Sequence, residues 1–272
     1  PLSDSPNRNC LTSGVQSRCL VNNNYTGELN NLMDRNRAAV IIPVYNHEKK
    51  VAEVVKQAMG LLLPIYVIDD GSTDSTYDQV KDIPGITVLR HKMNLGKGAA
   101  LMTGFAAAAH TSEWAITMDA DGQHNPEDSW NLFRVIEGGQ RPIVVGYRKG
   151  MGHRHVPLAS RFGRGFSNFW VRASGGPSLR DTQSGFRLYP LPETLYIPAD
   201  GQRFQYEVEI LARANWKGMP ILEAPVGVNY APRKERVSHY RAFVDFFRNA
   251  ETFSRLIILR WFILPFIRIR GS

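Results

Sequence analysis

The amino-acid sequence predicts an α/β fold built on a doubly wound, mainly parallel sheet with helices on both faces. Three observations predict it: short apolar runs rich in β-branched residues recur, helix-compatible stretches separate them, and two of the runs end directly in aspartates. Alternation of this kind gives a parallel sheet whose ligands gather at the carboxyl ends of its strands.

The first run, Ala38-Ala39-Val40-Ile41-Ile42-Pro43-Val44, lacks polar alternation, as expected of a strand covered on both faces. Three more runs are expected to be buried in the same way: Ile65-Tyr66-Val67-Ile68, ending at Asp69-Asp70; Ile86-Thr87-Val88-Leu89; and Trp114-Ala115-Ile116-Thr117-Met118, ending at Asp119. Lys49 to Leu63 and the Ala-rich Lys97 to His110 between them suit helices. Farther on, Gln202 to Glu209 opens a helix with acids in its early turns, and Val226 to Tyr230 reads as a last strand. Residues 1–37 are rich in Asn, Ser and Asp without sustained periodicity, and are expected to form a flexible arm. The expected organisation is thus an arm over 1–37, a catalytic-size domain over 38–239 and a distinct tail over 240–272.

A chain of 272 residues with 43% hydrophobic content buries a substantial core. Its formal charge of +8 points to anionic partners. Nine cations face three anions between Arg233 and Ser272, so most of the excess sits in the tail and the rest is near neutral. That distribution argues against a nucleic-acid surface spread over the fold. Cys10 and Cys19 are the only cysteines, which excludes a disulfide framework and a four-cysteine zinc site and suits a reducing cytoplasm. No secretory leader is expected, because no basic start precedes an apolar run.

The first strand runs into Pro43-Val44-Tyr45-Asn46-His47-Glu48 and the second into Asp69-Asp70-Gly71-Ser72-Thr73-Asp74. An Asp-Gly-Ser turn alone is a tight connection with a helix cap. Two acids directly after a buried strand are instead well placed to accept hydrogen bonds from a nucleotide's base and ribose. In Asp119-Ala120-Asp121-Gly122-Gln123-His124, an extended strand end would turn Asp119 and Asp121 to one side, with Gln123 adding an amide oxygen. Hard oxygens suit Mg²⁺ or Mn²⁺ completed by substrate phosphates; the plain alternative is a solvated acidic turn. Asn94-Leu95-Gly96-Lys97-Gly98-Ala99-Ala100 opens a helix with small residues, so backbone N–H groups and Lys97 are expected to face an anion, although the Walker spacing is absent.

These four motifs, in this order and spacing, resemble those of family 2 glycosyltransferases, which have the Rossmann-like GT-A fold, and most of all the polyprenyl-phosphate sugar synthases of the dolichyl-phosphate mannose and glucose type. The resemblance spans roughly Val40 to His239. It implies that Pro43, Tyr45, Glu48 and Asp70 line the nucleoside pocket, and that Asp119, Asp121 and Gln123 hold the metal against the diphosphate. One departure is visible: His47 stands where the family commonly has Glu, and Glu48 follows it. Asp181-Thr182-Gln183-Ser184-Gly185-Phe186-Arg187 resembles the acceptor-side motif. Asp181 would position or deprotonate an acceptor and Arg187 would hold phosphate, though a capped turn with a surface ion pair serves Arg187 equally well. The likeness also places Arg203 and Glu207 beside the acceptor with Gln183, and makes Arg233, Lys234, Arg236 and His239 a basic clamp on the diphosphate. Asp121, Asp181 and Arg187 are the expected catalytic residues.

In the tail, Arg241, Arg248 and Arg255 recur every seven residues and mark one side of a helix. Leu256 to Ile269, broken by Arg260 and Pro265, is too short to span a bilayer, which needs about 20 apolar residues. C-terminal amphipathic helices at a membrane interface are therefore expected, with arginines at lipid phosphates and Trp261, Phe262 and Phe266 in the acyl boundary; a core-covering helix is the alternative for Phe243 to Phe253. The resulting expectation is an inverting glycosyltransferase that uses Mg²⁺ or Mn²⁺. It would take a UDP- or GDP-linked sugar and act at the cytoplasmic face of a membrane, peripherally, on polyprenyl phosphate or another lipid acceptor. The rivals are transfer to a glycolipid or cell-surface precursor hydroxyl, and a non-catalytic nucleotide-sugar-binding module.

Overall fold

The computed structural model describes residues 37–149, 158–201, 203, 205–228 and 242–263, with only the backbone course at 158–163, 242–249 and 263. The arm before Arg37, Gln202, the clamp residues Arg233, Lys234, Arg236 and His239, Arg241 and Phe266 lie outside the described residues, as do the side chains of Phe243 and Arg248. The chain runs β1 (Ala38–Val44), α1 (Val51–Met59), β2 (Ile65–Asp69), α2 (Thr76–Val80), β3 (Ile86–Arg90), α3 (Lys97–Ala108), β4 (Trp114–Thr117), α4 (Ser129–Arg134), β5 (Ile143–Arg148), α5 (Leu158–Ala173), β6 (Arg187–Pro190), α6 (Gln205–Trp216), β7 (Ile221–Val226) and α7 (Ala242–Ile258).

The seven strands form one sheet in the order β3-β2-β1-β4-β6-β5-β7. β3, β2, β1 and β4 are parallel, β6 is antiparallel to both its neighbours, and β5 and β7 are again parallel. The predicted mainly parallel, doubly wound sheet is therefore present. All seven residues of β1 are buried because helices cover both faces. Val40, Ile42 and Val44 pack with Val51, Val55 and Ala58 of α1 and with Phe133 of α4. Ala39 and Ile41 pack on the opposite face with Leu101 and Phe105 of α3 and Ile210 of α6. Alternate side chains of one strand thus feed two cores.

Two strand expectations are corrected. β3 is only partly covered, since it is the outermost strand and has a neighbour on one side alone. The last strand ends at Val226, where the predicted one begins, because Ile221 to Val226 pair in register with Ile143 to Arg148.

No described helix is long and apolar enough to cross a membrane. α7 packs on the domain: Phe253 and Leu256 are buried, with Phe253 joining Val171 of α5 and Val208 of α6. Arg255, expected among the lipid-facing arginines, turns inward instead and gives hydrogen bonds to Asp200 and the buried Glu209, each at 2.9 Å. A π-helical stretch, Leu259–Ile263, continues α7. Ile258, Trp261 and Phe262 are exposed at this end of the helix, and Trp261 Nε1 donates to the Ala173 carbonyl of α5 at 3.0 Å. Because Leu256 is fully buried, Leu256→Ala leaves a cavity and is expected to lower stability by about 2–5 kcal/mol in urea unfolding. A loss below about 1 kcal/mol would show that α7 contributes little to the fold.

Candidate active site

The loops at the carboxyl ends of β1 and β2 are laced together by short polar side chains. Asn46 adopts φ 53°, a left-handed conformation that Asn tolerates better than most residues. Its backbone N–H donates to Ser72 Oγ at 2.9 Å, and its side-chain oxygen accepts from the Thr73 N–H at 2.8 Å. The His47 N–H donates to Thr76 Oγ1 at 2.8 Å, and Glu48 Oε2 accepts from the Ser75 N–H at 3.1 Å. Glu48 therefore braces the second loop, Tyr45 is half-buried beside it, and Pro43 is buried within β1. Gly71, at φ 72°, admits the 93–94 backbone so closely that a Cβ would lie 2.4 Å from the Met93 carbonyl carbon.

Asp70 corrects an expectation. Its carboxylate is buried and accepts from the Leu95 N–H at 2.9 Å and the Gly96 N–H at 2.7 Å, and it pairs with His91 Nδ1 at 2.7 Å. Two of the donors expected to face a substrate anion are thus satisfied by Asp70. It organises the loop before α3 rather than facing a nucleoside, a role its place at a strand end does not reveal.

Asp119 and Asp121 lie beyond β4, in a turn closed by Gly122 at φ 76°, so the side-by-side alternation of an extended strand does not apply. Gln123 gives Asp121 two hydrogen bonds, from its backbone N–H at 3.0 Å and its amide Nε2 at 2.8 Å. Its side chain therefore lies directly against the Asp121 carboxylate and supports it. Lys97, the first residue of α3, bridges Asp119 at 2.6 Å and Glu207 at 2.9 Å. Burial alone would raise the Asp119 carboxyl, but Lys97, with His124 and Arg187 adding to it, outweighs that and pulls it down to about 2. Burial would likewise lower the Lys97 ammonium, yet Asp119 and Glu207 raise it above its ordinary value, so the cluster is charged at neutral pH.

His124, a residue the motif reading passed over, stacks on Phe186 with centroids 4.9 Å apart and accepts the Asp119 N–H at 3.3 Å through Nδ1. Burial lowers its pKa against the opposing pull of Asp119 and Asp121, which favours the neutral ring. Gly185 brings the acceptor-side motif onto the same cluster. A Cβ there would lie 2.6 Å from Asp119 Oδ2 and 2.8 Å from Lys97 Nζ, so only glycine leaves that space open.

Elsewhere in that motif the expected roles change. Arg187 is fully buried and its guanidinium holds protein groups: it donates to the carbonyls of Ser184, Thr182 and Glu207 at 2.7, 2.8 and 2.6 Å, and to Tyr189 Oη at 3.2 Å. It braces the 181–187 loop and is not placed to grip a phosphate. Asp181 is also buried and is held bidentately by Arg148 at 2.6 and 2.9 Å. Arg148 was missed, although it closes the strand that the apolar Ile143 to Val145 run begins. Gln183 is exposed, and Arg203 donates to Asn94 Oδ1 at 3.1 Å, bridging to the loop before α3.

Among the described residues no three His, Cys, Asp or Glu converge as a complete metal cage. Asp119 and Asp121, two residues apart in the turn beyond β4, nevertheless supply hard oxygens. That donor set fits a Mg²⁺ or Mn²⁺ ion that takes the remainder of its shell from water and substrate phosphate.

The acids beyond β4 lie at the carboxyl edge of a doubly wound sheet, where ligands of such folds bind, and Lys97 ties Asp119 to Glu207 of α6. Residues 39–190 match Glycosyl transferase family 2, and the chain belongs to that family of glycosyltransferases. An uncharacterized protein of Methanocaldococcus jannaschii is 32% identical over 74% of this chain and 84% of its own. The UDP-N-acetylglucosamine–dolichyl-phosphate N-acetylglucosaminyltransferase of Methanococcus voltae is 29% identical over 70% of this chain and 85% of its own. The crystal structure of mannosyl-3-phosphoglycerate synthase from Rubrobacter xylanophilus aligns with a TM-score of 0.58 at 16% identity, covering 90% of this chain and 76% of that one, which shows a shared GT-A-like fold.

The bracing role of Arg187 gives a direct test. Arg187→Gln removes a buried cation from four acceptors and is expected to cost about 3–5 kcal/mol of stability in urea unfolding. Unchanged stability with lost transfer would instead return Arg187 to a substrate-binding role.

Proposed function

We propose that this glycosyltransferase moves a sugar from a UDP- or GDP-linked donor to the phosphate of a polyprenyl lipid at a membrane surface, with inversion at the anomeric carbon. The observation that carries the acceptor assignment is the bidentate engagement of Asp181 by Arg148. A hydroxyl acceptor needs a base, and this acid is already committed to a guanidinium. A phosphate monoester needs none, since its second pKa is about 6 and it is already anionic at neutral pH. The name of the Methanococcus voltae relative, a dolichyl-phosphate transferase, supports the same reading.

In this scheme a phosphate oxygen of the lipid forms a bond to the anomeric carbon as the bond from that carbon to the nucleotide diphosphate breaks, and no proton changes hands. Asp119 and Asp121 would hold Mg²⁺ or Mn²⁺, whose contribution is to neutralise charge on the departing diphosphate. His124 and Gln123 orient that pair, while Lys97 balances it. Arg233, Arg236 and His239, outside the described residues, would add the basic clamp suggested by the resemblance. Exposed Ile258, Trp261 and Phe262 support peripheral attachment to lipid through the end of α7.

Purified protein incubated with polyprenyl phosphate and radiolabelled UDP- and GDP-sugars should yield label in the organic extract. Chelator should abolish that transfer and Mn²⁺ or Mg²⁺ restore it, and Asp121→Ala should lower it about 100-fold or more while unfolding at the wild-type temperature. Label on a hydroxyl-bearing lipid and none on polyprenyl phosphate would refute the acceptor assignment.

Attachment is tested without disturbing the core by Trp261→Ser with Phe262→Ser. The pair is expected to reduce sedimentation with anionic liposomes several-fold with a stability loss of about 1 kcal/mol or less, because both side chains are exposed and only the Trp261 Nε1 hydrogen bond to the Ala173 carbonyl is given up. Equal sedimentation would remove the end of α7 from the membrane contact.

A further inference from the structure

The acceptor-side motif places Glu207 with the acceptor, but its carboxylate reaches in the other direction. Glu207 is buried on the first turn of α6, and its Oε1 takes a hydrogen bond of 2.9 Å from the Lys97 ammonium. The same ammonium is 2.6 Å from Asp119 Oδ1. Glu207 itself is fixed, because its carbonyl accepts from the buried Arg187 at 2.6 Å. Lys97 has little freedom to move elsewhere: it opens α3, and Gly185 lies directly over its Nζ.

A cation approaching Asp119 meets a lysine already seated on that carboxylate. With Asp119 as its sole anchor, the ammonium would compete with the cation for the same oxygens, and displacing it would leave two like charges together in a poorly hydrated site. Glu207 changes this balance by offering a second, immobile carboxylate to which Lys97 stays bound as Asp119 turns to the cation.

We propose that Glu207 is a donor-side positioning residue, which acts through Lys97 to release Asp119 for the cation and its diphosphate. This inference rests on the cation reading given under Proposed function.

The test measures free Mn²⁺ by electron paramagnetic resonance during titration of the full chain at saturating UDP, and again at saturating GDP, with thermal unfolding as the check on folding. Glu207→Gln is expected to weaken Mn²⁺ binding about tenfold, the loss of one charge-assisted hydrogen bond. Adding Lys97→Met to Glu207→Gln removes the competitor and is expected to bring Mn²⁺ affinity back toward the wild-type value, a rescue that general damage to the site would not give. Wild-type affinity in Glu207→Gln, or a further loss in the double variant, overturns the proposal. If Glu207→Gln does not fold, Lys97→Met decides alone: binding at least as tight as wild type supports the proposal, and weaker binding overturns it. A wild-type chain that takes up no Mn²⁺ with either nucleotide overturns the cation reading and this inference together, whereas the other adverse results leave that reading standing.

Discussion

Carboxylates that accept backbone N–H groups hold the carboxyl edge of the sheet in shape. Parallel strands deliver their ends to one edge, and the irregular loops that follow have no ladder to satisfy their amides. Here side chains supply the missing acceptors. Asp69 takes the Ser72 N–H at 3.0 Å, Asp70 the Leu95 and Gly96 N–H groups, and Asp121 the Gln123 N–H. Farther along the edge, Asp128 takes the Gly227 N–H at 2.7 Å and Glu223 the Arg180 N–H at 2.6 Å. Each such bond involves an ionised acceptor and is stronger than a neutral one. The loops can therefore be irregular in course yet specific in shape.

That use of acids explains where reading the sequence succeeded and where it did not. β1 is predicted to the residue and β2, β3 and β4 to within one, because unbroken β-branched runs have few other destinations in an α/β chain. β6 was missed: Arg187 to Pro190 is four residues long, begins with a charge and contains a proline. It is nevertheless buried, because the guanidinium donors of Arg187 are satisfied inside the fold by carbonyls from two segments, the 181–187 loop and α6. The motif positions were legible, but the direction of each side chain was not. An aspartate that binds a ligand and one that binds a loop amide have the same letter, the same strand-end place and the same neighbours. Asp70 accepts loop amides and Asp181 a guanidinium, whereas Asp119 pairs with Lys97, an ammonium it shares with Glu207.

Charge balance separates the remaining acids. Asp119 and Glu207 are balanced by Lys97, which pairs with both, and by the buried Arg187, whose charge acts on both, so the surplus negative charge at this turn comes from Asp121. That surplus, beside Asp119, is suited to a cation and poorly suited to a bare diphosphate. A diphosphate would then be held through that cation and through basic groups from outside the cluster, which is why the lysine alone is a weak basis for assigning donor contacts.

α6 ties this cluster to the tail. Glu207 and Glu209 are two residues apart, about 200° around the helix, so they project from opposite faces. Glu207 faces Lys97 and the Asp119 turn, and Glu209 faces α7, where it accepts from Arg255 at 2.9 Å and from Arg213 of its own helix at 2.7 Å. Both carboxylates are buried, and removing the partner of a buried charge costs several kcal/mol, so neither contact is easily exchanged for water. The heptad arginine at 255 therefore serves as a bolt between helices, and the apolar side chains one turn farther on, at 258, 261 and 262, are the ones left on the surface. The same helix thus fixes the acids of the donor turn on one side and the root of the exposed aromatic segment on the other. That geometry sets a constant span between the Asp119 turn and the exposed Trp261 and Phe262.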